Sequence, residues 1–168
     1  MSARREDLLD RAYAYVLTHG ISDLSLRPLA TAIGSSPRVL LYLFGSKEGL
    51  IRALLARARD EQLALLRVHQ PDADLAMIIW AWLSDPAHRP LLTLWLDAYT
   101  RSLTNHTGPW SDFAATTVTD WLTVLTDSEP NPTATLAILR GALLDLLATG
   151  DTARTTAAVH RALAQARR

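Results

Sequence analysis

A short polar segment between positions 35 and 38 carries the side chains with the clearest binding chemistry in this sequence. Ser35, Ser36 and Arg38 follow Gly34 and precede an apolar run. Hydroxyl and guanidinium groups donate hydrogen bonds to phosphates and base edges, and the free N–H groups at the start of a helix favour an anion. At the start of a helix, this segment therefore predicts a contact with nucleic acid.

Two short predicted helices and a tight turn hold this segment, as in a helix-turn-helix. Ser25 is the predicted N-cap of the first helix, Gly34 supplies the turn, and Ser36 with Pro37 begins the second helix, which ends at Gly45. Such a unit presents the start of its second helix to the DNA major groove. An ordinary packed hairpin with a glycine turn is the alternative. The residues expected to pack the two helices together are Leu26, Leu29, Ala30, Ile33, Leu40 and Phe44.

The rest of the chain also shows helical periodicity, so the predicted fold class is all-α. Apolar residues recur at helical spacing over 6–19, and a long helix is predicted from Ser46 to about Val68, before Pro71. Turn signals separate the remaining predicted helices. These cover residues 72–84, 89–103, 111–126, 132–149 and 152–166.

The residue identities between 26 and 50 favour the helix-turn-helix over the ordinary hairpin, because this run resembles the signature of the TetR/AcrR family. The landmarks are Ala30, Gly34, Leu40, Tyr42, Phe44 and the segment 46–48. The likeness extends over residues 5–55, and segment 141–151 is similar to the penultimate helix of many members. The resemblance implies a three-helix DNA-binding head at 1–46 and a helical ligand-binding and dimerisation body at 47–168.

The resemblance also implies a role for the polar residues of the head. Arg38 is the residue expected to bond a guanine through O6 and N7, because its planar fork fits both acceptors. The residues expected on phosphates are Ser25, Arg27, Tyr42 and Lys47, and those expected on base edges are Ser35, Ser36, Arg38 and Val39.

Two positions depart from the family pattern. Leu41 stands where many members have a second tyrosine, and Leu43 stands where a histidine often reaches phosphate. Both changes remove polar contacts, so weaker DNA binding or a shifted contact with the backbone is expected. For Tyr42 the alternative role is a half-buried core filler, and for Lys47 it is a solvated lysine.

Aromatic residues are concentrated between positions 80 and 113. In the family this region lines a cavity for a small, often apolar ligand, and aromatic walls with a few polar groups suit such a pocket. Arg101 and Asn105 add polar groups at helical spacing. A filled aromatic core is the alternative. The expected ligand-binding residues are Trp80, Trp95, Asp97, Tyr99, Trp110 and Phe113.

The two long helices near the C-terminus each carry an apolar face. Val118 belongs to the face of the first helix and Leu144 to that of the second. A chain of this length would struggle to bury both faces, so we expect them to pack against a second copy as a twofold four-helix interface. Gly141 fits a close approach of helices. A core within one chain is the alternative. The expected interface residues are Trp121, Leu122, Leu125, Leu136, Leu139, Leu143 and Leu147.

Composition excludes several other classes of function. There is no cysteine, and the five histidines are scattered without ligand spacing, so neither metal site, cofactor nor enzymatic activity is expected. Apolar runs fall short of a membrane span and no signal segment is expected, which favours the cytoplasm. Residues 1–60 hold nine Arg or Lys against six Asp or Glu, whereas the remainder holds eight against eleven. A positive head on a negative body suits phosphate contact at one end.

The expected function is therefore that of a homodimeric, DNA-binding transcriptional regulator, in this family most often a repressor. Its partners would be a near-palindromic double-stranded operator and a small-molecule effector. Effector binding would move the fourth helix and so change the spacing of the two heads. The alternative function is a helical ligand-binding or interaction protein with impaired DNA binding.

Overall fold

The computed structural model describes residues 3–66, 74–105 and 107–168, and within them the secondary structure is helical. The predicted all-α fold is confirmed. The predicted end of the fourth helix, at Val68 and Pro71, and the start of the next at 72 lie outside the described residues. The helices are α1 (Ala3–His19), α2 (Leu26–Ala32), α3 (Pro37–Phe44), α4 (Lys47–Leu66), α5 (Leu75–Ser84), α6 (Arg89–Thr104), α7 (Phe113–Thr126), α8 (Pro132–Thr149) and α9 (Thr152–Ala166), with short 3₁₀ turns at Pro86–His88 and Gly108–Trp110.

The chain divides into two compact units. One comprises Met1–Gln62 with Thr93–Ala114, and the other comprises Leu63–Leu92 with Ala115–Arg168. The first unit therefore includes the later part of α6 as well as the predicted head. The predicted boundary between residues 46 and 47 divides a DNA-binding head from a ligand-binding body, and it does not coincide with a boundary between the two compact units. The division by role stays a prediction.

The first unit is built on amphipathic helices whose buried residues recur every three or four positions. In α1 the buried face includes Leu8, Ala12 and Val16, and in α4 it includes Leu50 and Leu54. This spacing places apolar side chains on one side of a helix with 3.6 residues per turn. The other sides of both helices carry the charged residues, which leaves a polar surface.

The second unit contains α5 and α7–α9, with α8 packed on both α5 and α9 and α5 also packed on α9. Among the described residues, α8 alone has the length and hydropathy of a membrane span, with 18 residues and a mean hydropathy of 1.2. Core helices of soluble proteins share these properties. Leu136, Leu139 and Leu143 of α8 are buried within the chain, and 28% of the helix is buried in all.

An arginine near the C-terminus joins three parts of the second unit. The Arg167 guanidinium donates two 2.7 Å hydrogen bonds to the Asp74 carboxylate at the start of α5. It also donates to Glu129 at 2.6 and 3.1 Å, between α7 and α8. The Glu129 side chain is only 1% exposed, and it also accepts a hydrogen bond from Thr135 at 3.3 Å. A buried carboxylate needs a charged partner, and Arg167 is that partner.

We predict that Arg167→Met lowers the free energy of unfolding by about 3 kcal/mol at pH 7, because Glu129 would remain buried without its cation. Hydrogen bonding to Arg167 lowers the pKa of Asp74 below its ordinary value. A lowered carboxylate pKa stabilises the fold above the ordinary value, about 3.9, and this contribution is lost as the pH falls through the folded-state pKa. The difference between wild type and variant should therefore shrink in acid.

Urea unfolding at pH 7 and at pH 3 measures both effects. Arg168→Met is the matched control, since it removes the same charge from the next residue, and its unfolding midpoint should equal that of the wild type. An equal midpoint for Arg167→Met at pH 7 would show that the cluster contributes nothing.

Candidate nucleic-acid interface

The turn between α2 and α3 is tight, and its backbone groups are hydrogen-bonded. Gly34 has a φ of +68°, a left-handed conformation that a side chain with a Cβ disfavours. The N–H of Gly34 donates to the Thr31 carbonyl at 3.3 Å, and the N–H of Ser35 donates to the Ala30 carbonyl at 2.8 Å. These two bonds end α2 and lead the chain directly into α3.

The start of α3 has the predicted cap, and its two faces differ sharply. The Ser36 hydroxyl accepts a hydrogen bond from the Val39 N–H at 3.3 Å, and Pro37 occupies the first turn. Leu40 and Phe44 are buried. The opposite side of α3 carries Arg38, Leu41 and Tyr42, which are exposed. We call this exposed side the front of α3.

The residues expected to contact DNA belong to α3 and the turn before it, to the start of α2 and to the start of α4. Ser35 and Val39 are half-buried, and the other six are exposed. Tyr42 is 86% exposed, so the alternative that it fills the core is wrong. Ser25 occupies the N-cap position of α2 as predicted, but within the described residues its side chain makes no capping hydrogen bond. The six exposed residues are Ser25, Arg27, Ser36, Arg38, Tyr42 and Lys47.

Some basic residues of the first unit are held in ion pairs, whereas others are exposed without one, and three of the latter are residues expected to contact DNA. Among the described residues, Arg27, Arg38 and Lys47 form no ion pair, whereas Arg11 pairs with Asp7 at 3.0 Å. Arg57 likewise pairs with Asp10 at 3.3 Å. An exposed cation without an ion-pair partner, such as Arg38 on α3, adds to the local positive potential that attracts a phosphate backbone.

Two arginines of α1, which the sequence analysis did not single out, contact the C-terminal ends of the short helices. Arg5 donates to the Leu43 carbonyl at 3.3 Å and lies 4.8 Å from the Phe44 ring centroid. Arg11 reaches the Ile33 carbonyl at 3.5 Å, the limit of a hydrogen bond. A cation at the C-terminal end of a helix satisfies free carbonyl groups and complements the helix dipole. In the sequence, the only signal for these two contacts was that both arginines lie on the polar side of α1.

The start of α4 is fitted closely to the end of α3. The Ser46 hydroxyl accepts a hydrogen bond from the Gly49 N–H at 3.0 Å. A Cβ at position 49 would overlap the Phe44 carbonyl oxygen, so glycine is needed there. Hydrogen bonds from its own N–H and from Ser46 lower the pKa of Glu48, which keeps a negative charge at the N-terminus of α4, where it complements the helix dipole. Gly49, like Arg5 and Arg11, is a positioning residue that the sequence analysis missed.

The aromatic residues expected to bind a ligand are placed in both units. In the second unit Trp80 is buried, and its indole N–H donates to Thr156 on α9 at 2.9 Å. In the first unit the rings of Trp95 and Tyr99 are 4.9 Å apart. Trp110 is buried and Phe113 is half-buried. Their role towards a ligand stays a prediction.

The two charged residues of α6 make an internal link that sequence analysis did not foresee. Asp97 accepts a hydrogen bond from Ser22, in the loop between α1 and α2, and pairs with Arg101 at 3.4 Å. Arg101 donates to the Ser22 hydroxyl at 2.9 Å and lies 5.4 Å from the Trp110 ring centroid. Asn105 is exposed beyond the end of α6. Asp97 and Arg101 thus join α6 to the loop that precedes the helix-turn-helix.

The residues expected at a dimer interface are mostly covered within the single chain. Five of them are buried and expose little surface to a second copy, and their role in a dimer stays a prediction. In α8 the cause is packing on α5 and α9, which covers the apolar face that the pattern had left unassigned. Leu122 and Leu147 are half-buried and keep some accessible surface. The five buried residues are Trp121, Leu125, Leu136, Leu139 and Leu143.

A different face of α8 remains uncovered. Ala137, Gly141, Leu144 and Ala148 are exposed at helical spacing, and Leu144 is 48% exposed. A Cβ at Gly141 would meet nothing within 4 Å. Small residues around a protruding leucine form a surface on which another helix can pack closely.

No protein-family model matches the sequence, and no curated protein matches it. Among the residues that the structure describes, no three metal-ligating side chains come together. Solved structures resemble the whole chain. A member of the TetR family from Streptomyces coelicolor shares 23% identity at a TM-score of 0.79, with 99% of each chain covered.

Two further solved structures agree with this likeness. The multidrug binding protein EbrR in complex with malachite green shares 23% identity, with 99% of each chain covered and a TM-score of 0.76. A protein from Rhodococcus sp. described as a TetR-family transcriptional regulator shares 18% identity, covers 99% of this chain and 100% of its own, and has a TM-score of 0.76. These likenesses establish the fold: the chain folds as TetR-family transcriptional regulators do.

Proposed function

We propose that this protein is a TetR-family transcriptional regulator, a homodimer whose binding to operator DNA is modulated by a small molecule. The observation that carries this proposal is the front of α3, where Arg38 and Tyr42 are exposed and Arg38 has no ion-pair partner among the described residues. We place its action in the cytoplasm, without a catalytic role, a cofactor or a membrane.

In this proposal α3 enters the major groove with its N-terminal end. Arg38 bonds guanine, while Ser35, Ser36 and Val39 approach neighbouring base edges. Four further side chains hold phosphates and fix the orientation of the helix without selecting a sequence. These are Ser25, Arg27, Tyr42 and Lys47, all exposed.

Selection from random duplexes, followed by gel shift, tests the proposal. Wild-type protein should select one near-palindromic sequence, and Arg38→Ala should lose about tenfold or more of the preference for it over random DNA. Lys47→Ala is the charge-matched control, and it should weaken binding to both duplexes alike and reduce the salt dependence by about one ion per protomer.

Salt-sensitive binding by the wild type without any sequence preference would contradict the regulator assignment. That outcome would instead favour the alternative, a helical ligand-binding or interaction protein. The hydrophobic Leu41, exposed on α3 where many family members have a tyrosine, is the observation that keeps this alternative in view.

We further propose that two copies associate through the uncovered face of α8 around Leu144, with Leu122 and Leu147 as neighbouring contacts. The support is the exposure of a leucine among small residues, together with the open space at Gly141. A twofold interface would present two copies of α3 to one duplex, spaced by one helical turn or a multiple of it.

We predict that Leu144→Glu converts the dimer into a monomer in sedimentation velocity experiments, because each protomer would place an unpaired charge in an apolar contact. Leu103→Glu is the matched control, since it makes the same change at another exposed leucine, and it should leave the dimer intact. A dimeric Leu144→Glu would show that the interface lies elsewhere.

The effector is proposed to be a small, largely apolar molecule that binds beside the aromatic residues of α6 and the following segment. EbrR, which has the same fold, is described in complex with malachite green and with proflavin. Binding there would displace α6, and the Asp97–Ser22–Arg101 link would carry the displacement to the loop before α2. An effector shifts the equilibrium only by its difference in affinity for the two states.

Proflavin fluorescence titration provides the test of the ligand site. Tyr99→Ala should weaken proflavin binding about fivefold, since an aromatic contact contributes on the order of 1 kcal/mol. Tyr15→Ala removes a ring of α1 that stacks on His19 and should leave the affinity unchanged. Equal affinity for wild type and Tyr99→Ala would place the dye away from α6.

A further inference from the structure

One apolar side chain stands out on the front of α3. Leu41 is 41% exposed, whereas Leu40 is buried and Leu43 is half-buried. At about 100° per residue, Arg38, Leu41 and Tyr42 fall within an arc of about 100° on the helix surface. Leu41 therefore shares the front with the two residues proposed to contact a base and a phosphate.

The chemistry of a leucine narrows what it can touch on DNA. Its side chain has neither a donor nor an acceptor, so it can bond neither a phosphate oxygen nor the polar edge of a base. The apolar group that base pairs display in the major groove is the C5 methyl of thymine. An exposed leucine that loses water against this methyl gains the free energy of burying apolar surface.

The position of Leu41 along the helix sets which base pair it would meet. Leu41 follows Arg38 by three residues, which corresponds to a rise of about 4.5 Å along the helix axis. Adjacent base pairs are spaced by about 3.4 Å. A helix lying in the groove would therefore carry Leu41 to a base one or two steps from the guanine bonded by Arg38.

We propose that Leu41 is a specificity-determining residue that contacts a thymine methyl, one or two base pairs from the base bonded by Arg38. The proposal rests on the proposed function, since it requires α3 in the major groove. Leu41 lacks the hydroxyl of the tyrosine that many TetR/AcrR family members have at this position. In this proposal it adds selectivity for thymine instead.

Replacing thymine by uracil tests the contact directly, because it removes one methyl group and leaves base pairing unchanged. The selected duplex is prepared with a single uracil at each thymine of one half-site in turn. For wild-type protein, uracil at one position near the guanine should weaken binding about fourfold, the effect of one buried methyl group. The Leu41→Ala variant should bind that uracil duplex and its thymine parent equally.

Leu43→Ala is the matched control, because it truncates a leucine of the same helix that lies off the exposed front. It should keep the fourfold preference for thymine, even if its overall affinity changes. The ratio of two affinities for the same protein sample is insensitive to a loss of stability, so a partly unfolded variant still gives an answer.

Three results would overturn the inference. If wild-type protein binds its selected sequence without sensitivity to uracil, or if Leu41→Ala keeps the full sensitivity, Leu41 does not contact a thymine methyl and the proposed function stands. If wild-type protein shows no sequence preference, the proposed function fails and this inference fails with it.

Discussion

The C-terminal ends of α2 and α3 direct carbonyl groups towards arginines of α1, and the placement of the candidate interface depends on this support. Helices of seven and eight residues are too short to be stable alone, and each leaves about four carbonyls without a partner in its own helix. Arg5 binds the end of α3 and Arg11 approaches the end of α2. Because Gly49 lets α4 approach Phe44 closely, α3 is held from two sides and its front stays free.

Ion pairs hold several arginines of this chain within the fold and leave others exposed to a partner. The chain has no net charge, so a partner with many phosphates must be attracted by a local field rather than by the whole molecule. Arg57, Arg154 and Arg167 each have a carboxylate within 3.5 Å. Arg38, on the front of α3, has no such carboxylate among the described residues and is therefore available to an anionic group.

Local signals in the sequence predicted the helix-turn-helix well, and long-range pairing is what they missed. Gly34, Ser36 and Pro37 each fix a conformation within a few residues, so their effect can be predicted without knowing the rest of the fold. An apolar face on α8 indicates burial but not which neighbour covers it, and the packing of α8 on α5 and α9 could not be predicted from that face alone. The contact of Ser22 with Asp97 joins residues 75 positions apart, and no spacing rule connects them.

The geometry of α6 suggests why its polar link matters for the proposed regulation. Trp95 and Tyr99 are four residues apart and share one side of the helix, while Asp97 and Arg101 share a nearly opposite side. A ligand against the rings would therefore push α6 along the direction in which Asp97 and Arg101 hold Ser22. The sequence analysis expected the effector to act by moving α4. That movement would have to displace the end of α3, because α4 approaches the Phe44 carbonyl closely at Gly49. A movement through Ser22 instead acts on the loop before α2, the first helix of the helix-turn-helix.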